Sequence, residues 1–87
     1  MNRRQAYLEK LSTELHSRGM QTTLKRARHL LLHVTNSAAS ALTESVYCEQ
    51  QGDAWVFCWA AGQPIGPAEN ISAVADRIQY VLREVEP

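Results

Sequence analysis

The chain has 87 residues, 45% of them hydrophobic and 21% charged, and its nine basic and nine acidic side chains give a formal net charge of zero at pH 7. That length builds one domain around one modest core. The apolar content excludes an intrinsically disordered chain, and no run approaches the roughly 18 apolar residues of a membrane span.

The first predicted element is a helix from Asn2 to Arg18, where Tyr7, Leu8, Leu11 and Leu15 form one stripe and Gly19 offers a left-handed stop. Arg3 and Arg4 look like the start of an export signal, but the QAYLEKLSTELHSR that follows carries charges where an apolar stretch belongs. A cytoplasmic protein is therefore expected, with Cys48 and Cys58 as free thiols. Met20 to His29 is read as an extended arm, although Leu24, Ala27 and Leu31 also fit a helical period. The arm leads into a strand from about Leu30 to Thr35, which the NSAASA loop ends.

Two alternating runs follow, Thr43 to Glu49 and Ala54 to Ala60, joined through Gly52 and Asp53, residues suited to a tight hairpin. A two-residue loop there sets Gln51 opposite Ala54, Cys48 opposite Phe57 and Val46 opposite Trp59. One face then carries Val46, Cys48, Trp55, Phe57 and Trp59, and the other Ser45, Tyr47, Glu49, Val56, Cys58 and Ala60. Three large aromatics in a small domain belong in the core, so the first face is expected to lie under helices. The segment GQPIGP reads as a turn. A last helix spans Glu69 to Glu84, capped by Asn70, with Ile71, Val74, Ala75, Ile78, Leu82 and Val85 on its apolar stripe. The expected fold is α+β: α-β-β-β-α, a three-stranded antiparallel meander packed on two helices, in a single domain covering residues 1–87.

Catalytic readings fare poorly. His29 and His33 at i, i+4 would share a metal on a helix, but on a strand they lie roughly 13 Å apart. Cys48 and His33 would need to meet across strands to act as nucleophile and base, and a buried structural cysteine is the commoner case. Ser37 and Ser40 lack a nucleophile-elbow context. GQPIGP lacks the Lys and Ser/Thr of a phosphate-binding loop, and nothing places Glu44 and Glu49 in one cleft. No catalytic residue, cofactor or metal is therefore assigned.

Charge is distributed unevenly: seven basic residues stand against two acidic ones up to His33, and two against seven beyond it. The two halves are expected to neutralise each other rather than present a nucleic-acid face. The basic stretch TLKRARH, with Lys25, Arg26 and Arg28, is nonetheless the candidate for a nucleic-acid-binding alternative. A second alternative is a small accessory enzyme of a biosynthetic pathway using Cys48 or Cys58.

The segments LLLHVTNSAASALTESVYC and AWVFCWAAGQPIGPAENISAVADRIQYVL, covering roughly residues 30 to 82, resemble small uncharacterised actinobacterial proteins. In these an aromatic-rich strand runs into a Trp-x-x-Gly-x-Pro-Ile-x-Pro-like turn and then an amphipathic helix; Phe57 and Cys58 stand where they often carry Trp. The resemblance implies no site residues, but such proteins tend to be encoded beside helix-turn-helix regulators. The expected function is thus a non-catalytic protein-binding or regulatory accessory module, a homodimer acting on a protein partner such as a transcription regulator. Its binding surface would be the uncovered sheet face, at Tyr47, Val56 and Cys58.

Overall fold

A computed structural model describes residues 2–83. The elements run α1 (Arg3–Ser17), β1 (Met20–Arg26), β2 (Leu30–Asn36), β3 (Ala39–Gln51), β4 (Ala54–Trp59), β5 (Pro64–Pro67) and α2 (Ile71–Val81). The strands form one antiparallel sheet in the order β1-β2-β3-β4-β5, so each strand pairs with its neighbours in sequence. The protein is α+β, as expected, but its meander has five strands rather than three.

Both extra strands are edges, and each hides its character locally. In β1 the inward positions are Met20, Thr22 and Leu24, and the middle one is polar because Thr22 Oγ1 hydrogen-bonds Ser12 Oγ of α1 at 2.6 Å. The hydrophobic alternation that marks a half-buried strand is thereby broken. β5 begins and ends with proline, which reads as turn chemistry, yet an edge strand tolerates proline because one side of its backbone has no ladder to feed. Ile65 is buried there. The NSAASA loop shrinks to a turn at Ser37 and Ala38 followed by an irregular start to β3, where the register jumps from Asn36↔Ala39 to Thr35↔Thr43.

The central hairpin has the register expected from its turn: Gln51↔Ala54, Cys48↔Phe57 and Val46↔Trp59, with Gly52 at φ +63°. Val46, Cys48 and Phe57 are fully buried, and Trp55 and Trp59 are half-buried against the same cluster. The aromatic ladder is the inside of the protein.

α1 supplies Leu8, Leu11 and Leu15 to that core, all inaccessible to solvent. Asn2 caps it by accepting from the Gln5 N–H at 3.2 Å, and Gly19, at φ +86°, turns the chain into β1. α2 contributes Val74, Ala75 and Ile78, followed by Leu82 just past its end. Asn70 caps α2 through the Ala73 N–H at 3.2 Å, and Asn36 Nδ2 donates to the Leu82 carbonyl at 2.8 Å, holding the helix end to β2. Glu84 and Val85, expected at the end of this helix, lie outside the described residues. No helix among the described residues is long and apolar enough to cross a membrane.

Candidate functional site

Both helices cover one face of the sheet and leave the other open. At one end of the open face lies a polar network. His33 sits between two hydroxyls, with Nδ1 3.1 Å from Ser45 Oγ and Nε2 2.9 Å from Thr43 Oγ1, and Thr43 Oγ1 also lies 3.0 Å from Thr35 Oγ1. This imidazole is held by cross-strand neighbours. Cys48 belongs to the opposite face of the sheet, so the structure does not bring His33 and Cys48 together. His29 lies in the β1–β2 turn, and no group of three or more His, Cys, Asp or Glu side chains among the described residues is placed to hold a metal.

The other end of the open face is more apolar and borders a cleft that reaches through the sheet to Arg4 of α1 and Cys48 of the covered face. The β2–β3 ladder runs from the Thr35 end only as far as Leu32↔Val46, while β3 continues to Gln51 alongside β4. Beyond that point β2 and β3 separate. The Cys48 carbonyl, which two more residue pairs of that register would have set opposite Leu30, instead accepts from Arg4 Nε at 2.8 Å, and the Arg4 guanidinium lies 5.8 Å from the Trp55 ring centroid. The opening is a cleft of about 450 Å³, walled by Leu30, Leu31, Tyr47 and Ala60, with Arg4 and Glu49 also lining it. Its volume falls within the range of small binding pockets.

The three open-face candidates thus occupy different positions. Tyr47 is half-buried and lines the cleft; Val56 is half-buried on the neighbouring strand. Cys58 was expected at the surface but is fully buried. The reason is β5: with Cys58 paired to Pro64 on one side and Tyr47 on the other, β4 is an interior strand and its neighbours close over the short thiol. Glu49 Oε1 accepts from Cys58 Sγ at 3.7 Å. Burial, followed by the Glu49 charge, pushes the Cys58 thiol upward. Tyr47 shifts the same way, through burial and then the charges of Cys58 and Glu49. Burial pushes the Cys48 thiol up to about 11, against the opposing pull of Arg4. Thiols held in this way are protonated at neutral pH and poor nucleophiles.

Lys25, Arg26 and Arg28 do not form one surface. Lys25 and Arg26 are adjacent on β1 and therefore project to opposite faces of the sheet; Arg26 Nη2 donates to Gln5 Oε1 of α1 at 2.9 Å. Arg28 lies in the turn beyond. Among the described residues one ion pair joins the two halves of the chain, Arg18 with Asp76 of α2, and Arg18 also pairs with Glu14 of its own half at 2.8 Å.

Arg4 and Leu31 had no signal as site residues in the sequence. Leu31 reads as one apolar residue in a run of three. Compared with known proteins, the chain matches no family model, no curated protein and no solved structure.

Proposed function

We propose that this domain is a non-catalytic protein-binding module that acts as a homodimer on a protein partner such as a transcription regulator. The observation that carries the reading is the cleft beside Tyr47, where β2 and β3 separate and Arg4 at the start of α1 meets the edge of the open face. A mostly apolar recess in an otherwise polar face suits an anchoring side chain of a partner, the arrangement in which a few residues supply most of the binding energy. The thiols are buried and protonated, and His33 is held by two hydroxyls, which supports binding over catalysis. The regulator as partner rests on the resemblance of the aromatic strand and its Pro-Ile turn to the actinobacterial proteins.

The test combines mass measurement over a range of concentrations with capture from the native host by wild type and by Tyr47→Ser. A dimer, and a captured protein lost on Tyr47→Ser, are the expected results. A strict monomer at high concentration that captures no partner overturns the reading.

A further inference from the structure

The two edges of the sheet are unlike. β5 has four residues and a proline at each end, which leaves little backbone for another strand to pair with. β1 has seven residues, no proline and an unbroken register with β2. Its outward hydrogen-bonding groups can be assigned. Val34 O, on the β3 side of β2, accepts from Thr43 Oγ1 at 3.0 Å, and in the β1–β2 turn the Ala27 N–H donates to His29 O at 3.2 Å. Because alternate residues of a strand direct their backbone groups to alternate sides, Gln21, Thr23 and Lys25 pair with β2. Thr22, Leu24 and Arg26 then present their N–H and C=O groups outward from the sheet.

This edge is also basic. Lys25 and Arg26 lie at its end and Arg28 just beyond, and none of the three forms an ion pair among the described residues. Their placement selects between classes of anionic partner. A phosphate backbone is met by cations gathered on one surface, whereas Lys25 and Arg26 project above and below the sheet. A ligand whose own side chains alternate between the same two faces matches that disposition: an added β-strand, in which consecutive residues stand beside Lys25 and Arg26.

We propose that the β1 edge binds an extended acidic segment of a partner protein as a sixth strand, with two consecutive carboxylates set beside Lys25 and Arg26. This rests on the protein-binding reading above and adds the place and the chemistry of the partner. The Arg26–Gln5 hydrogen bond holds one guanidinium in position for the carboxylate on the helix side, and Lys25 meets the other on the open side. Next along the strand, half-buried Leu24 favours an apolar neighbour on the helix face.

The experiment is an amide-resolved NMR titration of the full chain with a capped seven-residue peptide, two glutamates followed by alternating valine and threonine. The expected result is slowed hydrogen exchange at Thr22, Leu24 and Arg26, and an affinity that falls with salt. Replacing both glutamates with lysine is expected to weaken binding roughly tenfold or more, and the Lys25→Glu/Arg26→Glu variant to reverse that preference. Methylating the peptide amides that face β1 should abolish binding while leaving the charges unchanged; methylating the alternate set should not. Equal binding of both methylated peptides overturns strand addition, as does tighter binding of a DNA duplex to the same residues. Binding of neither peptide likewise overturns it. Shifts confined to Leu31, Tyr47 and Val56 also overturn the edge inference, while leaving the protein-binding reading intact.

Discussion

Cys48 lies under α1 with its thiol almost wholly removed from water, and the pH dependence of stability should register it. The folded thiol titrates at about 11 against an ordinary value of 9.0, so between these limits the native state holds a proton that the unfolded chain has released. Stability is then fully present below pH 9 and falls as pH rises toward 11, by an amount on the order of 2 to 3 kcal/mol. Cys58 and Tyr47 are shifted in the same direction and steepen the fall. Denaturant melts across this range should show the decline, and Cys48→Ala should flatten it while lowering the overall stability through the cavity it leaves. At pH 7.5 both cysteines should alkylate far more slowly in the native protein than in the unfolded chain. Prompt labelling of either would remove the case against thiol chemistry. Cysteine burial illustrates what is legible in a sequence. Alternation placed Cys48 inside, but Cys58 is buried by lateral neighbours, and β5, which supplies one of them, was concealed by its prolines.

α2 approaches the sheet closely where β5 passes beneath it. A Cβ built on Gly66 would meet Val74 Cγ2 at 3.1 Å, tighter than ordinary contact, so this glycine sets how near the helix lies. Gly66→Val should destabilise by roughly 1 to 3 kcal/mol through overpacking. Val74→Ala should relieve part of that, giving a coupling energy in a double-mutant cycle; strict additivity would show that the two sites do not press on each other. Asn70→Ala should lower stability by about 1 kcal/mol through loss of the cap on α2, measurable as a lower denaturation midpoint with an unchanged slope. The cap and the apolar stripe of α2 were both evident from residue spacing, because each is a local pattern along one helix. The Gly66 contact was not, since it joins β5 to α2 through space.

In the whole molecule, Phe57 is the largest fully buried side chain of the core, on β4, and is inaccessible to solvent. A domain of this size has a total stability of roughly 4 to 13 kcal/mol, and Phe57→Ala should remove about 3 to 5 of it. A large loss of cooperative unfolding at ambient temperature is the expected outcome, read by circular dichroism against temperature. Arg18→Ala is the contrasting case. It deletes the ion pair with Asp76 of α2 and the i,i+4 pair with Glu14, but both are surface pairs, and the loss should stay within about 1 kcal/mol. A larger effect would mean that the helices are held together by charge rather than by the shared apolar layer.

The sequence by itself determined what depends on short-range periodicity: the two helical stripes, the Asn70 cap, and the phase of the β3–β4 hairpin. A two-residue turn with Gly52 leaves each side chain of that hairpin only one face to occupy. Tertiary structure alone decided what depends on neighbours distant in the chain. β1 exists as a strand because β2 completes its ladder and Ser12 satisfies its inward Thr22, and the cleft exists because the β2–β3 ladder stops at Leu32↔Val46 while β3 runs on beside β4. Residue spacing carries no record of such lateral pairing, which is why the edges of this sheet, where its binding chemistry is proposed, were the part the sequence left open.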